Sequence, residues 1–178
     1  MVELKSLKDP QTEDSIAIQR NLFNSDSTFN QIVFGKNELS KDDLIQDNAE
    51  NLQLGAQYFY IVSEKKYAGL VHFLPVNPHD GHAWIGLLII HKKMQKSGIG
   101  NETITLLEDI IAKEDIKKIR LSVQQKNEGG AEFWQKKGYV KVNSSIDKFN
   151  NDIDIYEKEL TSPSTPDPEE VEKTSEDE

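Results

Sequence analysis

The chain has 178 residues and no cysteine, and its 21 Lys and Arg residues against 31 Asp and Glu residues give a formal net charge of −10 at pH 7. This length favours one domain with a substantial core. The lack of cysteine excludes disulfides, cysteine-ligated zinc sites and thiol nucleophiles, and the acidic balance argues against nucleic acid or an anionic membrane as a partner.

The distribution of apolar residues predicts a soluble, cytoplasmic protein. No stretch approaches the roughly 20 apolar residues that a membrane span needs, and residues 1–10 lack the apolar core of a signal peptide. We therefore expect neither a membrane segment nor a membrane partner.

Residues 161–178 differ in composition from the rest of the chain. They contain seven acidic residues, one base, three of the six prolines and a single aliphatic side chain, Val171. Such a segment buries too little apolar surface to offset its ordering entropy. We expect one domain over residues 1–160, followed by a disordered acidic tail over residues 161–178. A solubilising tail is the simplest interpretation, and a partner-binding tail is the alternative.

Hydrophobic periodicity and capping signals predict the elements before residue 91. Ile16 and Phe23 share one helical face, and Ser40 followed three residues later by Asp43 is typical of a helix N-terminus. Runs of aromatic and β-branched residues indicate strands. In chain order we predict a strand over residues 2–7, a helix over 12–24, a polar stretch, a helix from Ser40 toward Leu52, and strands over 58–63, 67–73 and 83–90.

The second half alternates helices and strands. Ile104, Leu107 and Ile111 recur at helical spacing, which predicts an amphipathic helix over 100–112. We further predict a strand over 118–123, a short helix over 130–137, and strands over 139–142 and 153–160. This order fits a single mixed α/β domain.

A glycine-containing turn between the strand over 83–90 and the following helix carries the strongest chemical signal. Gly98 and Gly100 allow a tight turn without Cβ atoms. The helix that begins there has unpartnered amides and a partial positive charge, which together suit a pyrophosphate. The basic residues His91, Lys92, Lys93 and Lys96 surround the turn. The turn fits neither a Walker nor a Rossmann fingerprint, and a glycine-capped helix without a ligand is the alternative.

Two segments resemble a known family. Residues 87–100, L-L-I-I-H-K-K-M-Q-K-S-G-I-G, resemble motif A of the GNAT superfamily of acetyl-CoA-dependent N-acetyltransferases, which ends in Q/R-x-x-G-x-G/A. Residues 127–142, N-E-G-G-A-E-F-W-Q-K-K-G-Y-V-K-V, resemble the next segment of that family. The resemblance implies a GNAT-type α/β domain, a mixed central sheet with splayed central strands flanked by helices.

The resemblance also implies a set of residues that bind acetyl-CoA as co-substrate. The backbone near Leu88 and Ile90 would pair with the pantetheine amides, and Asn127 would hydrogen-bond the same arm. For Asn127 the alternative is a helix cap. The pyrophosphate would lie on the turn formed by Gln95, Lys96, Ser97, Gly98, Ile99, Gly100 and Asn101. Phe133 and Tyr139 are expected in the core.

Two family features concerned with catalysis are missing from the sequence. Trp134 stands where many members have a tyrosine that protonates the departing thiolate, and an indole is not a useful acid. The strand before motif A has Trp84 near the position where several relatives have a glutamate. We therefore predict no general acid at position 134, and we expect the general base to be a residue outside this strand.

The nearest titratable groups to the missing glutamate are His79, Asp80 and His82. A neutral histidine can remove the proton of an ammonium group, so His82, with Asp80 beside it, is the predicted base, and exposed loop residues are the alternative. Strand alternation predicts that His82, Trp84, Gly86 and Leu88 share the face that carries the substrates. Gly86 would leave room for the acetyl group and Trp84 would contact the acceptor.

The acceptor is predicted from charge. Residues 8–54 contain nine acids and four bases, a field that would attract a cationic amine. Solvated helix faces are the alternative and the more common source of such a charge bias. The four histidines do not form an i, i+4 pair, so no metal site is expected.

The functional prediction is acetyl transfer to a small primary amine by direct attack in a ternary complex. The alternatives are a CoA-binding module with reduced chemistry, and a protein lysine or N-terminal acetyltransferase. Dimerisation is common in the family, which makes a homodimer one candidate assembly.

Overall fold

The computed structural model of the protein describes residues 1–161, so the predicted tail lies outside the described residues except for Thr161. The described residues form five α-helices, one short 3-10 helix (Lys92–Met94) and seven strands. The helices are α1 (Glu13–Asn24), α2 (Ser27–Phe34), α3 (Lys41–Gln53), α4 (Ile99–Ala112) and α5 (Glu128–Lys136). The strands are β1 (Val2–Leu7), β2 (Gln57–Ser63), β3 (Lys66–Leu74), β4 (Ala83–Ile90), β5 (Lys118–Gln124), β6 (Val140–Ile146) and β7 (Asp152–Glu159).

The strands form one mixed sheet in the order β1-β2-β3-β4-β5-β7-β6. All neighbours are antiparallel except β4 and β5. One core lies between the sheet and α4 and α5, with Ile104, Leu107 and Ile111 fully buried, as the helical spacing predicts. The second core lies under α1 and α3, where Ile16 and Leu44 are buried. The predicted α/β domain with helices on both faces is confirmed.

The sequence analysis missed α2 entirely. Asp26 caps it by accepting from the Phe29 amide at 3.2 Å, and the rings of Phe29 and Phe34 pack near Phe23 with centroid distances of 6.4 and 5.9 Å. The prediction of a polar stretch after α1 is therefore wrong. By contrast, the predicted start of α3 is confirmed, because Ser40 and Asp43 form a capping box.

A bulge in β4 changes which side chains share a face. His72 pairs with Leu87 and Phe73 pairs with Ile85, so Gly86 is an extra residue in β4. Ile85, before the bulge, and Leu88, after it, both contact the core under α4. The prediction that Trp84, Gly86 and Leu88 share one face is therefore wrong, since the bulge shifts the alternation by one residue.

The described helices include none with the length and apolar character that a membrane crossing requires.

Candidate active site between strands β4 and β5

The two central strands separate soon after they meet. They pair only through Ala83 with Ile119 and Trp84 with Arg120. Beyond these pairs, toward the carboxyl ends of both strands, β4 and β5 diverge and leave an open gap. This is the splay that the sequence analysis expected.

Main-chain groups of β4 point into the gap. The His91 amide donates to the Ala68 carbonyl at 2.8 Å, and this bond fixes the phase of the antiparallel ladder between β3 and β4. In that phase, Leu88 and Ile90 lie at positions whose N–H and C=O groups face away from β3, toward β5. The gap therefore presents an extended backbone edge to which another chain of amides can add.

The turn before α4 lies at the open end of this gap. Gly98 precedes α4 with φ of 86°, provides no side-chain cap, and has no atom within 4 Å of the position that a Cβ would occupy. The first hydrogen bond of the helix is from the Glu102 amide to the Gly98 carbonyl. The amides of Ile99, Gly100 and Asn101 are therefore free for an anion, and Lys93 and Lys96 are exposed beside them.

Gln95 faces away from the open side of the turn. Its Nε2 donates to Asp26 Oδ2 at 2.9 Å and to the Ile90 carbonyl at 3.0 Å. Lys92 Nζ also lies 3.5 Å from the same carboxylate. Burial tends to raise the pKa of Asp26, but the hydrogen bonds from Gln95 and Phe29 and the charge of Lys92 hold it below its usual value. The Gln95 side chain thus supports the turn, and only its backbone is open to a ligand.

Three other predicted binding residues have structural partners. The Ser97 hydroxyl donates to the Met94 carbonyl. Asn101 Oδ1 accepts from Lys137 Nζ at 3.0 Å. Asn127 Oδ1 accepts from the Gly130 amide at 3.0 Å and so caps α5, the alternative foreseen for it. A further contact from Asn127 to a ligand would have to come from Nδ2.

The predicted catalytic pair lies at the closed end of the gap. Asp80 accepts from the His82 amide at 2.9 Å and from Trp84 Nε1 at 2.9 Å, and Arg120 Nη1 is 3.6 Å away. Arg120 also pairs with Glu157 through Nε at 2.8 Å. The Asp80 carboxylate orders this end of β4. Ala83 is buried in the core under α4, so strand alternation places the His82 and Trp84 side chains on the opposite face of the sheet.

Gly86 and Trp134 occupy environments that the sequence did not indicate. A Cβ on Gly86 would lie 2.7 Å from Nδ1 of His72, so the His72 ring fills the space on that side of the strand. Gly86 is otherwise exposed, and its role in leaving space for an acetyl group stays a prediction. Trp134 is buried between Phe133 and Tyr139, with centroid distances of 5.0 and 5.1 Å. It is a core residue, as is Tyr139, and Phe133 is half-buried against the same core.

A cavity of about 350 Å³ lies between α2, α3 and the turn joining β6 to β7. Lys148 of that turn places Nζ 3.3 Å from Asp47 and 2.6 Å from Glu50. Burial raises the pKa of Asp47 even though the Lys148 ammonium opposes the shift. The remaining charged and aromatic lining residues are Phe34, Lys36, Asp43 and Phe149. The cavity concentrates carboxylates on the face opposite α4.

The described residues contain no group of three or more metal-ligating side chains.

Comparison with known proteins agrees with this geometry. The model of the Acetyltransferase (GNAT) family matches residues 20–139, about two thirds of the chain. The chain belongs to the GNAT acetyltransferase family. No curated protein sequence matches it significantly.

Solved GNAT structures share the fold of the whole domain. The spermidine N-acetyltransferase from Vibrio cholerae, in complex with CoA and spermine, superposes with a TM-score of 0.70 at 18% identity, covering 90% of this chain and 96% of that chain. The ribosomal-protein-S18-alanine N-acetyltransferase from Escherichia coli gives 0.68 at 14% identity, with coverages of 93% and 98%. An acetyltransferase from Thermus thermophilus gives 0.71 at 15% identity, with coverages of 90% and 97%. These similarities show that the described domain has the GNAT fold.

Two features of the structure were not predicted from the sequence. The cavity depends on α2 and on the turn after β6, which are about 110 residues apart in sequence and meet where Asn151 Nδ2 donates to the Val33 carbonyl at 3.0 Å. The contact of His72 with Gly86 depends on a strand register. The acidic bias of residues 8–54 was the one signal that pointed toward the cavity.

Proposed function

We propose that the protein transfers the acetyl group of acetyl-CoA to the primary amine of a small molecule by direct attack in a ternary complex. The observation that carries this proposal is the open gap between β4 and β5, where the main-chain groups of Leu88 and the N–H of Ile90 lie next to the start of α4 at Gly98, which has no side-chain cap. An extended chain of amides ending in a pyrophosphate fits such a path. A cytoplasmic location is part of the proposal.

The residues of the gap fit acetyl-CoA. The free amides of residues 99–101 and the exposed Lys93 and Lys96 suit the pyrophosphate, and the edge at Leu88 and Ile90 suits the pantetheine amides. Asn127 can contribute Nδ2. When bound, the thioester supplies an activated acetyl group.

The protein contributes charge stabilisation and positioning. The amine nitrogen attacks the thioester carbon, the carbonyl oxygen takes up negative charge, and the Leu88 N–H is the proposed donor to it. The C–S bond then breaks and the acetyl group remains on nitrogen as an amide. A thiol has a pKa of about 8.5, so the thiolate can leave without the acid that Trp134 does not provide.

The attacking amine has to lose a proton. His82 is the proposed base, directly or through water, with Asp80 as a residue that orders its loop. The placement of the His82 side chain beside Trp84 on the face opposite α4 supports this role. Trp84 would then contact the acceptor.

The proposed acceptor is a small cationic amine. The charge of the cavity lining supports this choice, because the carboxylates of Asp43, Asp47 and Glu50 outnumber the two ammonium groups of Lys36 and Lys148 that pair with them. The size of the cavity suits a small molecule. Among the structural neighbours, one acts on spermidine and another on a ribosomal protein alanine. The cavity favours the first kind of acceptor.

An amine panel tests the proposal, with released CoA measured by a thiol reagent. The chain contains no cysteine, so the protein gives no background signal. We expect turnover with diamines or polyamines and intersecting initial-rate plots. Tight acetyl-CoA binding without turnover would identify a CoA-binding module, and turnover of peptides alone would identify a protein acetyltransferase. Ping-pong kinetics would contradict direct attack.

A further inference from the structure

A histidine of β3 and a glycine of β4 lie against each other at the bulge. His72 is only 3% exposed, and its ring packs on Tyr58 with centroids 4.7 Å apart. Nδ1 of the ring has no hydrogen-bond partner in the described part of the chain. Gly86 has no side chain, and a Cβ there would lie 2.7 Å from Nδ1. The imidazole therefore occupies the volume that a side chain at position 86 would need.

The bulge at Gly86 sets the direction of the strand that follows. Because Gly86 is the extra residue between Ile85 and Leu87, the pairing with β3 changes phase there. In the new phase the main-chain N–H of Leu88 faces the gap. Loss of the bulge would return Leu88 to the register of Trp84 and Ile85 and turn that N–H toward β3 instead.

We propose that His72 is a positioning residue for acetyl transfer: its ring fills the space over Gly86, fixes the bulge at that residue, and thereby holds the Leu88 N–H toward the acetyl carbonyl. This inference rests on the proposed function, because it takes Leu88 as the donor to the developing oxyanion. His72 itself exchanges no proton with the substrates.

The burial of His72 agrees with a steric role rather than with proton transfer. Burial lowers the pKa of His72 to about 3, so the ring is neutral throughout the range in which acetylation is measured. The edge of the imidazole formed by Cε1 and Nδ1 lies nearest to Gly86, with Nδ1 2.7 Å from the position that a Cβ would occupy. An unpartnered buried nitrogen is unfavourable, so hydrogen bonding does not explain the histidine.

The test is a double-mutant cycle with His72→Ala, Gly86→Ala and the combined variant. We expect each single variant to lower kcat by about 10- to 100-fold, as misplaced catalytic groups do, while KM for acetyl-CoA changes by less than about threefold. In the combined variant the new methyl group enters the volume that the ring vacates. Its kcat should therefore exceed that of Gly86→Ala alone.

A second readout is independent of turnover. The ¹³C carbonyl resonance of bound, carbonyl-labelled acetyl-CoA reports on the donor at Leu88. We expect this resonance to move toward its free position in both single variants and to keep its bound position in His72→Phe, which preserves the ring. Leu70→Ala is the matched control, because Leu70 is a buried β3 residue on the same face. It should lower thermal stability and leave kcat and the resonance unchanged.

The outcomes separate the two proposals. If the wild-type protein acetylates no amine, the proposed function fails, and the resonance still decides whether His72 positions the carbonyl. Folded single variants with wild-type kcat and an unshifted resonance would overturn the inference, as would strictly additive losses in the combined variant. If His72→Ala does not fold, Gly86→Ala and His72→Phe provide the same comparison.

Discussion

The Gln95 side chain joins the turn before α4 to Asp26, the cap of α2, through a hydrogen bond of 2.9 Å from Nε2 to Oδ2. Asp26 is 7% exposed and also accepts from the Phe29 amide. One carboxylate therefore fixes both the proposed pyrophosphate turn and the start of the helix that lines the acidic cavity. The two proposed substrate sites share this support.

Asp26→Asn should weaken acetyl-CoA binding. An asparagine keeps the shape but carries only one acceptor oxygen, so it cannot satisfy Gln95, Phe29 and Lys92 together. We expect a loss of about 1–2 kcal/mol of stability and a severalfold rise in KM for acetyl-CoA. Thr12→Ala, which removes the cap of α1, should cost about 1 kcal/mol without a change in KM. Equal KM effects of the two variants would contradict the proposed support.

Comparison of Gly98→Ala with Gly55→Ala should distinguish the effect of backbone strain on stability from the effect of the turn on acetyl-CoA binding. Gly98 has φ of 86° and open space at its Cβ position, and Gly55 has φ of 87° and equally open space. Alanine should therefore cost both positions a similar amount, about 1–2 kcal/mol for the left-handed conformation. Only Gly98→Ala should also weaken acetyl-CoA binding, measured by calorimetry. Undiminished binding would refute the proposed pyrophosphate site.

Sequence patterns predicted most of the fold because its elements carry local signals. The strand over 83–90 matches β4, and Ser40 and Asp43 form the expected capping box. The glycines of the turn before α4 were likewise visible without a structure. Such features depend on neighbours within a few residues of one another.

The misses depend on contacts between distant segments. α2 is a short helix whose apolar residues Phe29 and Phe34 find their partners only in the tertiary fold. The bulge at Gly86 is set by pairing with β3, and no periodicity within β4 reveals an extra residue. Face assignments beyond the bulge were therefore wrong although the strand itself was right.

His82→Gln should lower kcat if His82 is the base. Glutamine retains polarity but cannot accept a proton at neutral pH, so we expect kcat to fall by about 10²-fold or more. The decline of kcat/KM toward acid pH should also differ from that of the wild type. His79→Gln is the control, because His79 is an exposed residue of the same loop. A profile identical to that of the wild type would exclude His82 as the base.

The acidic cavity should make the enzyme prefer a diamine over a monoamine as acceptor. Asp47→Asn combined with Glu50→Gln removes the two carboxylates that hold Lys148. We expect KM for a diamine to rise by about tenfold, or 1.4 kcal/mol, with a smaller effect on a monoamine. KM for acetyl-CoA should not change. Asp42→Asn, an exposed acid of the same helix, should have no effect. Equal effects on diamine and monoamine would place the acceptor elsewhere.

His72 should make stability depend on pH in the acid range. Burial lowers the pKa of His72 to about 3, so the unfolded chain, with a histidine pKa of about 6.5, binds a proton that the folded state does not. Stability therefore falls as the pH drops below about 6.5. The neighbouring Tyr58 does not stabilise a protonated His72 imidazole, because burial raises the pKa of the Tyr58 phenol and keeps it neutral.

His72→Phe removes this dependence. From pH 7 to pH 5 the wild-type protein should lose about 2 kcal/mol more than the variant, measured by urea unfolding at each pH. Comparing the two proteins cancels the contribution of the carboxylates, which titrate in both. Leu70→Ala, which leaves His72 in place, should retain the wild-type slope. Parallel pH curves for wild type and His72→Phe would mean that the imidazole can be protonated within the folded protein, through an opening of the strands around Gly86.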